Sequence, residues 1–172
     1  MNIPAINWLT NRQIREQAEQ ILKTHHSIRS LPIPVDTIVD AKLGFDIVPL
    51  PELEKHFNWD AFLAIGSNEI YMDAFIYENS NYETRFRFTL AHELGHAVIH
   101  REVFEAVNIC SLDDYKDFDT SLKQWQKHRM DSEANEFAAY LLVPDDSLAA
   151  SWAVIEPALR EDAEEAQKRG FT

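Results

Sequence analysis

Cysteine is almost absent from the chain. Cys110 stands alone among 172 residues, so an internal disulfide is excluded and a reducing compartment fits. As a lone thiol it is expected to pack as a small hydrophobe. Basic residues are also scarce, sixteen against twenty-nine acidic ones, for a formal charge of -13. That balance opposes direct contact with nucleic acid phosphates or an anionic membrane surface, and favours a protein or peptide partner. No long apolar run is present either. The longest, Phe137 to Val143, falls far short of the roughly 20 residues that span a bilayer. Met1 to Ser30 reads as a polar helical pattern without the apolar centre of a secretory signal. A cytoplasmic protein is expected, with no internal repeat and no low-complexity segment. At this length one domain over 1–172 is expected, burying about 70% of its unfolded surface.

What the chain does contain is His92-Glu93-Leu94-Gly95-His96, the HExxH arrangement of a zinc peptidase. On a helix, positions i and i+4 lie one above the other, so both imidazoles can converge on one ion. Glu93 then points beside the ion, where it can take a proton from an activated water and return it to a leaving amine. The stretch Tyr82 to Ala91 has no proline or glycine and carries Phe86, Phe88, Leu90 and Ala91, which predicts a buried helix from about Glu83 to His100. Gly95 inside it costs about 1 kcal/mol relative to alanine, tolerable where another backbone must pack closely.

Elsewhere the spacing predicts an amphipathic helix over Asn11 to Ile28 and a short helix from Val35 that stops at Gly44. A strand from Phe45 to Val48 and a hairpin of Ala61 to Ile65 with Glu69 to Asp73 follow. The acidic stretch Arg101 to Asp119 reads as an irregular connection. A long helix capped by Thr120 or Ser121 should run to Val143-Pro144, burying Leu122, Trp125, Ala134, Phe137, Ala138 and Leu141. Beyond it, a short helix to about Ile155 and a solvated acidic one from Ala158 to Arg169 are expected. His25-His26 reads as surface.

A catalytic zinc needs a third protein ligand and an open position. His100 follows His96 by four residues, yet lies about 12 Å along the axis from His92 and cannot share one ion with it. The metzincin pattern fails as well, with Ile99 and Glu102 where Gly and His are required. Asp131, Glu133 and Glu136 remain as candidates. Arg85 and Arg87, at a helix start, read as solvated or paired; Tyr71, His100, His128 and Tyr140 are open candidates for a transition-state donor. The Glu69 to Asp73 strand, as an edge beside the metal, could hold an extended peptide.

Arg87-Phe88-Thr89-Leu90-Ala91-His92-Glu93-Leu94-Gly95-His96, Glu133-Ala134-Asn135 and the run Phe137 to Pro144 together resemble the ImmA/IrrE family of metallo-endopeptidases. The resemblance covers about residues 10 to 148 and leaves 149–172 as an acidic helical tail. It implies an α+β, small zincin-like (minigluzincin) domain with a short twisted sheet beside two central helices. It also implies Zn2+ held by His92, His96 and an acidic residue four positions before the Asn, here Asp131 where Glu is more usual. Asp is one methylene shorter, so its helix must approach more closely, and Glu133 stays as the alternative third ligand. Helical spacing sets Asn135 on the face of Asp131, where it can orient a ligand histidine. The implied function is a zinc-dependent endopeptidase with Glu93 as general base and then acid. Its substrate would be a protein, such as a separate helix-turn-helix repressor or antitoxin of a prophage or mobile element. The alternative is a metal-bearing module that binds a transcriptional regulator without cutting it.

Overall fold

The computed structural model describes residues 3–26 and 31–169. It is a mixed α+β architecture in which a three-stranded sheet lies against a set of helices. Residues 3–10 carry no regular structure, against the helical pattern expected from the N-terminus. α1 (Asn11–His25) starts at Thr10, whose hydroxyl accepts from Gln13 N–H while the Gln13 side chain returns to the Thr10 backbone. This reciprocal cap fixes the start. Ile14, Ala18 and Leu22 form its buried stripe. The part of the expected helix at 27–28 lies outside the described residues. His25 and His26 are half-buried, not surface.

A short α2 (Val35–Thr37) runs on into a π-helical turn, Ile38–Lys42, and stops at Gly44 with φ 73, a conformation that suits glycine. β1 (Asp46–Leu50) follows, then α3 (Leu53–Phe57), β2 (Ala61–Ala64) and β3 (Glu69–Asp73). The sheet order is β1-β3-β2, parallel between β1 and β3 and antiparallel in the β2–β3 hairpin. β3 is therefore central, and the expectation that it forms an edge is corrected: both of its backbone edges are taken up by pairing, with β1 on one side and β2 on the other. α3 and α4 (Ala74–Glu78) had no counterpart in the sequence reading. Both are too short for a periodic signal, and a single buried carboxylate, Asp73, caps both: it accepts from Phe75 N–H and Glu54 N–H, each at 2.9 Å.

α5 (Glu83–Ile99) and α8 (Gln124–Leu142) pack side by side. Between them the stretch read as irregular forms α6 (Arg101–Val107) and α7 (Leu112–Ser121). Ser111 caps α7 by accepting from Asp114 N–H, and Asp113 and Asp114 occupy the first turn. The acidic residues that suggested a loop thus complement the helix N-terminus. Because α7 extends through Ser121, α8 begins at Lys123 as cap and not at Thr120 or Ser121. Trp125 and Phe88 are exposed, contrary to expectation; Trp125 lies against Trp8, ring centroids 5.6 Å apart. Cys110 is exposed too. It sits in the α6–α7 connection against the hairpin turn, where a side chain at Gly66 would collide with its Sγ.

α9 (Asp145–Lys168) is one helix, continuous through Pro157. Pro157 removes one ladder donor, and the local pattern that marks proline as a boundary overstated its effect. None of its residues is buried; Leu148, Trp152, Ile155 and Leu159 stay exposed on the acidic tail. Among the described residues no helix is long and apolar enough to cross a membrane.

Gly95 decides how close α5 and α8 come. A Cβ there would lie 3.2 Å from Ala134 Cα, from Ala134 O and from Phe137 Cδ1, so neighbouring backbone would have to move. Gly95→Ala, worth about 1 kcal/mol in an open helix, is expected to add no stability, and Gly95→Val to cost about 2 kcal/mol, roughly 6 °C in melting temperature. A melting curve in which Gly95→Ala gained the full helical increment would show that the two backbones are not in contact.

Candidate metal centre

α5 carries His92, Glu93 and His96 toward a cavity of about 350 Å³, and α8 brings Met130, Asp131 and Asn135 to its other wall. Trp59, Asp60 and Ala61, which lead into β2, close one side, and Tyr115 and Phe118 of α7 another. The turn that delivers Trp59 depends on Asn58 in the left-handed region, φ 57, where asparagine is tolerated.

The imidazoles of His92 and His96 face one another through their Nε2 atoms at 3.1 Å. Asp131 Oδ1 lies 3.8 Å from His96 Nε2. Among the described residues these three form a group whose possible ligand atoms all lie within 4.8 Å of one another.

The tautomers follow from the outer partners. His92 Nδ1 is 2.9 Å from Asn135 Oδ1, an acceptor, so the proton of His92 is on Nδ1. On the other ring, His96 Nδ1 is 3.0 Å from His100 Nδ1, and His100 Nε2 is 3.4 Å from Glu133 Oε2. The carboxylate requires an N–H from His100 Nε2, which leaves His100 Nδ1 to accept from His96. Burial keeps His100 neutral by lowering its pKa to about 4 against the pull of Glu133. It lowers His96 further, His92 and His100 adding to the effect. Two Nε2 lone pairs therefore point at each other with no proton between them, an arrangement that a shared cation resolves. Two ligands about 2.0–2.1 Å from one tetrahedral ion are separated by about 3.4 Å, close to the spacing seen. The donor set, two imidazoles and a carboxylate, suits zinc.

Glu93 is buried beside this pair. Desolvation pushes its carboxyl up to about 8, with Asp131 and Asp60 adding and a hydrogen bond from the Leu63 backbone opposing. A carboxyl in that range can exchange a proton near neutral pH.

Glu133 lies elsewhere. Its side chain is 3% exposed, and Oε1 accepts from Arg129 Nε at 2.6 Å and Leu9 N–H at 3.2 Å. Glu136 accepts from Asn11. Arg85 makes a two-pronged ion pair with Asp60 at 2.7 and 2.5 Å, and Arg87 donates to Ile33 O at 2.6 Å, so both arginines are paired. Of the four donors considered, none lines the cavity. Tyr71 donates to Glu69, His100 is behind His96, His128 bonds Gln124, and Tyr140 is not part of the cavity wall. The tyrosine on the wall is Tyr115, which the sequence reading passed over. Its ring is wedged between Trp59 and Phe62, each 4.9 Å away, and burial, then Glu93 and Asp131, hold its hydroxyl in the protonated, donating form. Only the helical spacing of Tyr115 and Phe118 within an acidic segment signalled it.

Residues 66–167, more than half of the chain, match a family model, Peptidase_M78, described as the IrrE N-terminal-like domain. No curated protein matches the chain.

In metal-free protein the raised Glu93 carboxyl opposes folding as pH rises. It is protonated in the folded state up to about pH 8 but ionises near 4.5 when unfolded, so the native state holds the extra proton between those values and loses stability through that window. Glu93→Gln removes the effect. The variant is expected to melt close to wild type at pH 4.5 and on the order of 10 °C higher at pH 8; a difference that did not grow with pH would count against a buried, proton-holding Glu93.

Proposed function

The chain belongs to the Peptidase_M78 family of ImmA/IrrE-type metallopeptidases, and from that premise we propose that it is a zinc-dependent endopeptidase with a small zincin-like (minigluzincin) domain. His92, His96 and Asp131 hold the ion, and Asn135 orients His92. The observation that carries the reading is the pair of imidazole Nε2 atoms 3.1 Å apart with a carboxylate oxygen beside them. When bound, zinc supplies Lewis acidity toward the scissile carbonyl and lowers the pKa of water.

The chain's own residues do the rest. Glu93, buried beside the two histidines, takes a proton from the attacking water and later delivers it to the leaving amine. Tyr115, kept protonated, offers a hydrogen bond to the oxygen that gains charge as the carbonyl becomes tetrahedral. Trp59, Phe88, Phe118 and Met130 on the cavity wall suit a large apolar substrate side chain. The outer edge of β2, whose Ala61 borders the cavity, takes the role first assigned to β3 as the rail for an extended peptide.

The substrate is a cytoplasmic protein, and a separate DNA-binding repressor or antitoxin fits a chain that is too acidic to bind DNA itself. A non-cleaving module that binds such a regulator is the second reading, favoured by the exposed and short Asp131 in the third-ligand position.

Elemental analysis of protein purified without chelator should find about one zinc per chain, lost in Asp131→Ala. Glu93→Gln should retain the zinc and lose proteolysis by a factor of 100 or more, roughly the range of general acid–base catalysis. Cleavage of a regulator that survived Glu93→Gln would sink the mechanism, and partner binding without any cleavage by wild type would favour the second reading.

A further inference from the structure

Behind His96 lies a line of buried polar groups that the hydrolytic chemistry does not use. His96 Nδ1 meets His100 Nδ1 at 3.0 Å, and His100 Nε2 meets Glu133 Oε2 at 3.4 Å. Glu133 Oε1 then accepts from Arg129 Nε at 2.6 Å and from Leu9 N–H at 3.2 Å, while an Arg129 terminal nitrogen donates to Leu9 O at 3.0 Å. The His100 and Glu133 side chains are 0% and 3% exposed, and Arg129 reaches solvent at the far end.

We infer that His100 and Glu133 are positioning residues for His96, forming a relay that ends on Arg129 and the Leu9 backbone and holds the His96 ring with its Nε2 unprotonated and aimed at the metal. The inference rests on the reading of His92, His96 and Asp131 as ligands. A buried carboxyl group is costly unless its oxygens are partnered, and here Arg129 serves one oxygen and an imidazole N–H the other. The imidazole passes the effect on, because with Nε2–H committed to Glu133 its Nδ1 can only accept. His96 must then donate from Nδ1, and one tautomer is left for the metal-facing nitrogen. Metal-binding histidines commonly have a carboxylate or carbonyl directly on the outer nitrogen; in this chain a second imidazole fills the gap between ring and carboxylate. His92 differs, since its outer nitrogen ends on the neutral amide of Asn135. The two imidazole ligands are thus supported unequally, and the charged support belongs to the more buried one. Leu9 extends the consequence to the segment before α1, which supplies both an N–H to Glu133 and a carbonyl to Arg129.

The test compares His100→Leu with His100→Asn, whose Oδ1 can stand near the lost Nδ1 as an acceptor. Zinc affinity is read by competition with a chromophoric chelator, the visible spectrum is recorded after cobalt(II) substitution, and the fold is checked by circular dichroism of the metal-free protein. His100→Leu is expected to bind zinc about 10–100-fold more weakly with shifted cobalt bands, while His100→Asn recovers most of the affinity. Wild-type affinity and an unchanged cobalt spectrum in His100→Leu would overturn the relay, as would a loss in His100→Asn equal to that in His100→Leu. If His100→Leu does not fold, Arg129→Met at the solvent end takes its place. Several-fold weaker zinc binding supports the relay, and unchanged binding overturns it. Wild-type protein that takes up no zinc overturns the metal reading itself and the relay with it.

Discussion

The contact on which the site depends is the close approach of α5 to α8 at Gly95 and Ala134. Gly95 stands between the two histidines of the motif along α5, and Ala134 between Asp131 and Asn135 along α8. Bringing these backbones together aligns three pairings across one interface: His92 with Asn135, His96 with Asp131, and His100 with Glu133. All three would lengthen if the helices separated by the width of a methyl group. A residue that weakens an isolated helix is therefore what lets this one bring the candidate metal ligands together.

Those pairings also bury an unusual set of polar groups. Glu93, His96, His100 and Glu133 are all buried within a largely apolar core. Each such group costs free energy unless its hydrogen bonds are met. On the far side they are met, through Arg129 and Leu9. On the cavity side two lone pairs oppose each other, and an ionisable carboxyl is held neutral by desolvation. Electrostatic strain is thus concentrated on the face where a cation would relieve it, as expected where stability is traded for function.

Much of this was legible in the sequence, for physical reasons that differ by element. Strong helical periodicity from Phe86 to Ile99 and in the Ala134 to Leu141 stretch located the two central helices, and the unusual Gly95 pointed to a close backbone neighbour. The alternation around Gly66-Ser67-Asn68 located the hairpin. What escaped were elements whose stability comes from capping and tertiary packing: α3 and α4, joined through Asp73, and α6 and α7, whose acidic residues act as helix-start charges. Tyr115 was lost with α7. Strand order was also out of reach, because β1 reaches β3 across the hairpin, a long-range pairing that no local pattern encodes. Asp131 and Glu133 could not be separated by residue type. Two positions apart on a helix they point in different directions, and only the neighbouring α5 determines which one faces the cavity.

The one-methylene difference at residue 131 links the packing to the relay. Asp131 Oδ1 stands 3.8 Å from His96 Nε2, whereas the two imidazole nitrogens are 3.1 Å apart, so the carboxylate is the longer arm of the triangle. It is also more than half exposed, and its attraction for an ion is weakened by solvent. In the proposed site, a shorter, wetter third ligand would shift the burden of metal retention onto the histidines. Of these, His96 has the lower exposure and the deeper support. With a longer Glu in that position the proposed relay behind His96 would be a refinement; with Asp it would be the part of the site most able to compensate.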